Sequence, residues 1–261
     1  ESIQLSNSIT SIGYKAFVYS TLTHIDLPDS LQFIESLAFM YCKQLTNIKI
    51  PSGVTSIKEN TFYSCKNLST LVFDENSQLE TIELQAFSDC SNLTEVILPE
   101  GLATIGENVF SSCSSLASIT IPSTVTSIGD GAFYSCSALS TVKYNGTDWK
   151  RITIGSWNSS LQNAVQNNGV KYLRTVTFQT NTDTTTINDQ TVYDGERVIE
   201  PTEPTKANSV FDGWYTDEAC TNKFEFEKGK SKTAVNGDLV LYAKWSPAAC
   251  TVTFDFNGHS V

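Results

Sequence analysis

The chain has 261 residues, with 17 basic and 28 acidic side chains and a formal net charge of −11. It contains no basic run or stripe, which argues against a nucleic-acid partner, and its acidity is typical of a solvated surface. No segment approaches the roughly 18 consecutive apolar residues of a membrane helix, so no membrane insertion is predicted for this sequence.

One phrase recurs through the first half of the chain. The segment from Ile48 reads IKIPSGVTSIKENTFYSCKNL, and the segment from Ile119 reads ITIPSTVTSIGDGAFYSCSAL. Phenylalanines mark the same place in successive copies, at intervals of 22, 23, 25, 23 and 23 residues: Phe17, Phe39, Phe62, Phe87, Phe110 and Phe133. A repeated period in the twenties indicates a solenoid, in which neighbouring coils share one elongated core.

Each copy begins with the pattern L-x-x-I-x-I, in which the last two apolar residues share one face of a short strand. Successive copies place these strands side by side and predict a parallel sheet. The proline that follows has no N–H to donate and ends the strand. The later Val, Ile, Phe and Cys are predicted to fill the interior, with the phenylalanines lined up in a file.

Two copies are irregular. The first reads FVYSTL where later copies read F-x-x-C-x-x-L, so it is one residue short and has Ser20 in place of cysteine. The copy after Leu68 reads LSTLVFDENSQLETI, so DENS replaces its proline turn and it is two residues longer. An insertion in a solenoid is expected to change a loop and leave the core register intact.

The recurring I-P, S-I-G and A-F-x-x-C elements resemble BspA-type leucine-rich repeats, which occur in surface proteins of bacteria and some protists. The resemblance covers about residues 1–142, and the segment from Val142 to Tyr172 is similar to the closing unit of such arrays. We therefore predict a mainly β fold for residues 1–172: a leucine-rich-repeat solenoid with a short parallel β-sheet and a C-terminal cap from about residue 143. An atypical last unit covers the exposed end of a solenoid.

Residues 174–245 read as short strands separated by Gly and Asp turns, such as TVTFQT, VFDGWYTDEAC and LVLYAKW. They resemble the Listeria–Bacteroides repeat, also called the internalin B-type repeat, which implies a small β-grasp-like module. The motifs F-x-G-W-Y and L-Y-A-K-W carry the resemblance: Phe211, Gly213, Trp214, Tyr215, Leu241, Tyr242, Ala243, Lys244 and Trp245. The usual Gly-rich turn after the first strand is replaced by NTDTTTINDQ. Residues 246–261 are interpreted as a linker and the start of a truncated second repeat.

The chain begins partway into a repeat, since Ile3 and Leu5 occupy the I-x-I positions. It ends soon after the phrase TVTFDFNG, which repeats the opening of the second module. We expect a piece of a longer protein that is extracellular, at the cell surface, with its signal peptide and anchor outside this sequence.

Cysteine holds one repeat position in successive coils: Cys42, Cys65, Cys90, Cys113 and Cys136. Strand-like spacing of roughly 4.8 Å does not exclude disulfides, but five is odd, and a buried thiol behaves as a small apolar residue. These cysteines are interpreted as reduced core thiols. No metal site is predicted, because there is no C-x-x-C and sulfurs in single file cannot surround a tetrahedral ion. A bridge between Cys220 and Cys250 remains an alternative to two thiols.

No catalytic constellation is visible, so neither an enzyme nor a cofactor is predicted. His24 is expected on the outward face of a strand and His259 in the tail, and neither has a sequence neighbour that would complete a triad or a metal site. The four tryptophans, at positions 149, 157, 214 and 245, fit either packing or stacking on sugar rings. Packing is preferred because two belong to repeat motifs and two to the cap.

In L-x-x-I-x-I, the residues flanking the second apolar position point out of the sheet, so they should form two columns on one extended face. This predicted partner-binding face comprises His24, Asp26, Asn47, Lys49, Thr70, Val72, Glu95, Ile97, Ser118, Thr120, Thr141 and Lys143. It is mostly small and polar, has an apolar centre and lacks aromatic residues, which suits a modest protein contact better than a sugar platform.

The sequence thus favours a non-enzymatic cell-surface binding or adhesion module. Its solenoid would contact an unidentified protein, such as a host surface or matrix component, and its small repeat would act as a stalk. The alternatives are a purely structural spacer and a carbohydrate-binding surface protein, with a glycan partner less favoured. We expect a monomer.

Overall fold

The computed structural model describes residues 2–182 and 185–249, and the chain divides into two units, Glu1–Tyr172 and Leu173–Val261. Most coils of the first unit contribute two short strands, where the sequence predicts one. The strands of this unit are, in chain order, β1 (Ser2–Gln4), β2 (Ser11–Ile12), β3 (His24–Asp26), β4 (Phe33–Ile34), β5 (Asn47–Ile50), β6 (Ser56–Ile57), β7 (Thr70–Phe73), β8 (Thr81–Ile82), β9 (Glu95–Ile97), β10 (Thr104–Ile105), β11 (Ser118–Ile121), β12 (Ser127–Ile128), β13 (Thr141–Tyr144) and β14 (Thr153–Ile154).

These strands alternate between two sheets, and every pair is parallel. The odd-numbered strands form the first sheet, in which β1 pairs with β3, β5 with β7, and β9, β11 and β13 with one another in turn. The even-numbered strands form the second sheet, with β2 on β4 and a run from β6 to β14. Pairing is always one coil apart, so like residues lie side by side, as Ser118 beside Thr141. The predicted solenoid with a parallel sheet is confirmed.

The six phenylalanines of the repeat lie in a single file inside the solenoid, as the 23-residue period predicts. Successive ring centroids are 5.1 to 5.6 Å apart, and all the neighbouring rings are stacked. Phe39 to Phe133 are almost fully buried, whereas Phe17, the first of the file, is half-buried. Offset stacking adds to the free energy that burial of each ring contributes.

A third set of backbone hydrogen bonds joins the coils around the phenylalanines. The N–H of Phe62 donates to the carbonyl oxygen of Ala86 at 2.8 Å, and the N–H groups of Asn60 and Ser64 donate to the same coil at 2.9 and 2.8 Å. Asn60 and Ser64 have positive φ angles of 53° and 60°. We call these three inter-coil bonds the phenylalanine ladder, which recurs at Phe17, Phe39, Phe87 and Phe110.

The cysteines reinforce this edge of the solenoid. Each Sγ donates to the carbonyl oxygen of the phenylalanine one coil earlier, at 3.0 to 3.2 Å, as Cys90 does to Phe62. All five side chains are buried as free thiols. A thiol is a weak donor, but it satisfies a carbonyl lone pair while filling the space of a small apolar residue.

The insertion after β7 leaves the core register intact, as expected. The rings of Phe62 and Phe87 flank it in the chain and still stack at 5.2 Å. The two extra residues are accommodated in the turn that begins at Asp74, whose N–H donates to the carbonyl of Ile50.

The cap closes the last coil with a 3-10 helix (Trp149–Arg151), the helix α1 (Ser159–Asn168) and the start of strand β15 (Val170–Gln179), where Val170 to Tyr172 pair with β13. Asn158 is fully buried, and its side-chain amide takes the place of the backbone groups that a next coil would supply. Its Oδ1 accepts from the N–H of Phe133 at 2.9 Å, where earlier phenylalanines donate to a backbone carbonyl. Its Nδ2 donates to the carbonyls of Gly129 and Gly155 at 2.9 Å.

The second unit is a mixed sheet with a small hairpin. Its strands beyond β15 are β16 (Gln190–Tyr193), β17 (Ser209–Tyr215), β18 (Lys223–Phe224), β19 (Phe226–Glu227), β20 (Lys230–Ser231) and β21 (Leu239–Pro247). The sheet has the order β16-β15-β21-β17-β18, and the central pair β15 and β21 is parallel, as in a β-grasp sheet. Residues 183 and 184 of the unusual first turn lie outside the described ranges, as do residues 250–261, where the second repeat is predicted to begin.

The two family motifs of the second unit form its core. Trp214 is buried against Phe178 and Phe211, at centroid distances of 5.1 and 5.4 Å. Gly213, at φ +120°, sits at a bulge where β17 shifts register against β21. Trp245 is half-buried and its Nε1 donates to the carbonyl of Thr180 at 2.9 Å. The motifs are therefore explained by packing.

Replacing Phe87 by alanine is expected to destabilise the first unit by about 3–5 kcal/mol, because it opens a ring-sized cavity in the stacked file. Urea denaturation of the variant and the wild type measures the change. Phe33→Ala is the matched control: Phe33 is 53% exposed on β4, and its loss should cost about 0.5 kcal/mol or less. Equal losses for the two variants would contradict a core built on the file.

Asn158→Ala is expected to destabilise the cap by about 1–3 kcal/mol, because the buried N–H of Phe133 loses its acceptor. Asn168→Ala removes an exposed hydrogen bond to the carbonyl of Ser140 and serves as the control, with a loss close to zero. Amide exchange at Phe133, followed by NMR, separates the two variants. Unchanged protection in Asn158→Ala would show that the side chain does not complete the ladder.

Candidate functional site

The predicted binding residues occupy alternate positions of strands β3 to β13 in the first sheet. The pairing register places Asn47 beside Thr70, and Ser118 between Glu95 and Thr141. We call the twelve residues the exposed face. They form two columns, with one residue of each column in every coil: His24, Asn47, Thr70, Glu95, Ser118 and Thr141 in one, and Asp26, Lys49, Val72, Ile97, Thr120 and Lys143 in the other.

Both residues of the face are exposed only in the two central coils, those of β7 and β9. Six of the twelve are exposed (Asp26, Lys49, Thr70, Val72, Glu95 and Ile97), and five are half-buried (His24, Asn47, Ser118, Thr141 and Lys143). The prediction of an outward, accessible side chain is wrong for Thr120, which is only 3% exposed. Thr120 pairs with Ile97 on one side and Lys143 on the other, and its short side chain lies below these longer neighbours.

The centre of the exposed face is open. Strands β7 and β9 are neighbours, but among the described strands no ladder pairs them, and the same holds for β3 and β5 nearer the N-terminus. A depression of about 400 Å³ lies between them, lined by Ser69, Thr70, Leu71, Val72, Phe73, Thr94, Glu95 and Ile97. We call it the notch. Val72 and Ile97 are 45% and 60% exposed, so the lining includes an exposed apolar pair.

The inserted turn begins directly after β7, one of the two strands beside the notch. Strand β7 keeps its register with β5 through Phe73, which pairs with Ile50, and the next residue, Asp74, stands where the β5 copy has Pro51. Asp74 forms an ion pair with Lys49 at 2.8 Å, which links this turn to β5. The Asp74 carboxylate raises the pKa of Lys49, and Lys49 lowers the pKa of Asp74, so both remain charged at neutral pH.

The N-terminal end of the exposed face is polar and ordered by hydrogen bonds. His24 Nδ1 lies 2.6 Å from Asn47 Oδ1, and Nε2 lies 2.8 Å from Asp26 Oδ1. Asn47 Nδ2 donates to Thr46 Oγ1, which fixes the orientation of the amide. The arrangement is a surface network on the outward side of the strands, as expected for His24. His259 lies outside the described residues.

The described residues contain no group of three or more His, Cys, Asp or Glu side chains that would form a metal-binding site. Within the same ranges, no helix has the length and apolarity needed to cross a bilayer. Cys220 is half-buried, with its Sγ 3.6 Å from the carbonyl of Glu218, while Cys250 lies beyond the described part of the chain. The possible pairing of these two cysteines therefore stays a prediction.

The four tryptophans differ in solvent exposure, and the sequence alone does not reveal this difference. Trp149 and Trp214 are buried and Trp245 is half-buried, in keeping with packing. The prediction that Trp157 packs in the interior is wrong, because its side chain is 74% exposed. Sequence reasoning missed it because Trp157 lies in the cap, where no repeat pattern separates inward from outward positions. Tyr134, 48% exposed in the last full coil, was missed as well.

Two family models match the chain. One, described as the BspA type leucine rich repeat region, matches residues 1–83 and 80–195 in six copies, and the other, described as the Listeria-Bacteroides repeat domain, matches residues 175–244. Both describe repeat regions, and neither describes a catalytic domain. A solved leucine-rich repeat protein from Eubacterium ventriosum has the same type of fold, with a TM-score of 0.53 and 29% identity over 60% of this chain and 41% of that one.

Curated relatives are much longer than the matching segments. The chain is 37% identical over 86 residues to an Evansella cellulosilytica protein whose name assigns it to the membrane, and 37% identical over 68 residues to internalin H of Listeria monocytogenes. These matches cover 33% and 26% of this chain, but only 12% of each relative.

Three cysteines of the repeat position, Cys90, Cys113 and Cys136, are expected to resist alkylation in the folded protein. Burial raises the pKa of Cys136 to about 12, and it raises those of Cys90 and Cys113 too. The reactive thiolate is therefore scarce at pH 8, and the sulfur is also inaccessible. Iodoacetamide treatment followed by peptide mapping should find Cys220 modified and these three cysteines modified only after unfolding in guanidinium. Rapid modification of Cys113 in the folded state would contradict its placement.

Proposed function

Since the chain belongs to the BspA-type leucine-rich repeat proteins, a family of surface proteins, we propose that it is a cell-surface adhesion module. Its solenoid binds a protein partner through the exposed face, with the notch at the centre of the contact. The second unit acts as a stalk. The proposal places the protein outside the cell, and it involves no cofactor and no catalysis.

The observation that carries the proposal is the notch and the apolar pair beside it. Protein interfaces combine an apolar, desolvated centre with a polar rim, and a few central residues supply most of the affinity. Val72 and Ile97 supply such a centre. Thr70 and Glu95 line the same depression and supply the polar rim. A regular solenoid sheet would be flat here, whereas the notch gives a partner side chain a place to enter.

The relatives support the same location. One relative is named as a membrane protein and another is internalin H, and the matching segments are small parts of long chains. A repeat array within a long chain suits display away from a surface. The role of the whole protein, its anchoring and its partner are part of the proposal.

Val72→Asp combined with Ile97→Asp is expected to reduce binding to a protein partner at least about tenfold, because two charges would have to be desolvated at the centre of the contact. The wild-type chain is first screened by surface plasmon resonance against purified fibronectin, laminin and collagen and on a glycan array. Both variant positions are exposed, so circular dichroism and the urea midpoint should be unchanged.

Phe33→Asp is the matched control, because it places the same charge on an equally exposed strand residue of the second sheet. It should bind like the wild type. Binding that survives the double substitution would remove the exposed face from the proposal. A chain that binds glycans alone would support the carbohydrate-binding alternative, and one that binds none of the probes would support a structural spacer.

A further inference from the structure

A second exposed depression lies on the edge of the solenoid that carries the phenylalanine ladder. It has a volume of about 320 Å³ and is lined by Glu107, Asn108, Asp130, Gly131, Tyr134 and Trp157. Its size reaches the lower end of the range for small-molecule sites. It belongs to neither sheet, and the adhesion proposal does not use it.

Trp157 occupies a place in the coil that argues against a packing role. It has a φ of +62° and lies between Ser156 and Asn158, the two residues that accept the last bonds of the phenylalanine ladder. In the preceding coils, the equivalent left-handed position is held by Lys15, Leu37, Asn60, Gln85, Asn108 and Gly131. A residue other than Gly or Asn adopts this conformation at a cost. The ring gains little burial in return, since it is 74% exposed.

The backbone on both sides of Trp157 is fixed. The N–H of Ser156 donates to Asp130 Oδ1 at 2.7 Å, and its carbonyl accepts from the N–H of Gly131 at 2.7 Å. Asn158 is held by the buried hydrogen bonds of the cap. The indole is therefore presented to solvent from a rigid base, which lowers the entropic cost of binding a ligand.

Gly131 creates the space beside the indole. Gly131 has no side chain, and a Cβ there would clash with Asn108 Oδ1. Asn108 and Trp157 stand two coils apart, roughly 10 Å at the usual strand spacing, with the glycine between them. Tyr134, three residues further along the coil, contributes a second exposed ring. A small group can therefore sit over the glycine, against the rings.

The charges of the lining select the ligand class. Glu107 and Asp130 are the only charged residues of the lining, and both are acidic. One oxygen of each is already used: Asp130 Oδ1 accepts from Ser156, and Glu107 Oε1 accepts from Asn108 Nδ2 at 3.1 Å. Residues 1–172 contain 9 basic and 15 acidic side chains, which gives 9 − 15 = −6 for this unit. Both the carboxylates and the π faces attract a cation.

Other aromatic rings of the chain already have a cation from the chain itself. Lys43 Nζ lies 5.9 Å from the ring centre of Tyr41, Lys244 lies 4.9 Å from that of Tyr215, and Lys206 lies over Trp245. In the described part of the chain, no lysine or arginine lies over Trp157 or Tyr134. We propose that this depression binds an organic cation, an ammonium or guanidinium group, supplied by a basic side chain of a protein or by a quaternary ammonium headgroup.

The test compares choline with 3,3-dimethyl-1-butanol, which has the same shape but no charge, and with Nα-acetyl-lysine amide. Ligand-observed saturation-transfer NMR on the full chain measures each affinity. The cations are expected to bind, and the neutral isostere to bind at least about fivefold more weakly. A preference for acetyl-lysine amide would identify a protein side chain as the ligand, and a preference for choline would identify a headgroup.

Two variants locate the site. Trp157→Asn removes the ring and suits the left-handed backbone, and the pair Glu107→Gln with Asp130→Asn removes both charges while keeping the oxygen that accepts from Ser156. Each should weaken cation binding at least about fivefold. Tyr19→Asn is the matched control, because Tyr19 is 67% exposed at φ +60° and lies outside the depression. It should leave the affinity unchanged.

The outcomes separate this site from the exposed face. The Val72→Asp and Ile97→Asp double variant should bind choline as the wild type does, whatever its effect on adhesion. Equal binding of the neutral isostere, preferential binding of glucose or N-acetylglucosamine, or an equal loss in Tyr19→Asn would each overturn the cation proposal. The urea midpoint of every variant is compared with the wild type, so that a loss of binding is read only from folded protein.

Discussion

The phenylalanine ladder is the constraint on which the rest of the first unit depends. Three alternate N–H groups around each ring donate to the next coil, and the flanking residues turn through left-handed conformations to aim them. The ring lies on the core side of this turn and stacks on its neighbours, while the following cysteine returns a hydrogen bond to the phenylalanine carbonyl one coil earlier. Backbone pairing and side-chain stacking therefore demand the same register, which explains why the A-F-x-x-C phrase tolerates little change.

The insertion shows which edges of the coil keep their register when a copy is longer. Across the longer copy, the ladder from Phe62 to Ala86 keeps its 2.8 Å bond and the rings keep their stacking distance. The second sheet keeps its pairing between β6 and β8 as well. The first sheet has no ladder between β7 and β9, but it has none between β3 and β5 either, where the repeat length is regular. The buried rings therefore fix the spacing of the coils more uniformly than the solvated first sheet does, and the notch lies at one of the places where that sheet is interrupted.

The sequence predicts most of the structural features that recur in every copy of the repeat, and it does not predict the features that occur only once. The file of phenylalanines, the first sheet and the two columns of its outward residues follow from a period that each copy restates. The second sheet was missed because two-residue strands such as Ser56–Ile57 carry no alternation that a pattern can reveal. The burial of Thr120 depends on the lengths of Ile97 and Lys143 in neighbouring coils, and the exposure of Trp157 depends on a cap with no second copy for comparison. The register of the repeat can be read from each copy by itself, whereas the burial of a side chain depends on residues in neighbouring coils.

The cap shows how an array that needs a next coil can end without one. Phe133 requires an acceptor, and a side-chain amide on a short loop provides it, because the Asn158 oxygen can stand where a backbone carbonyl would be. The same amide must also satisfy its own two donors, which binds it to Gly129 and Gly155 and buries it completely. The preceding residue, Trp157, therefore has a fixed backbone and no further repeat coil packed against it. A side chain at this position faces solvent whatever its identity. A tryptophan at that position gains almost nothing in stability, and its chemistry is available for recognition. The end of the ladder, like the interrupted sheet, is thus a place where the regular repeat stops and a binding surface can begin.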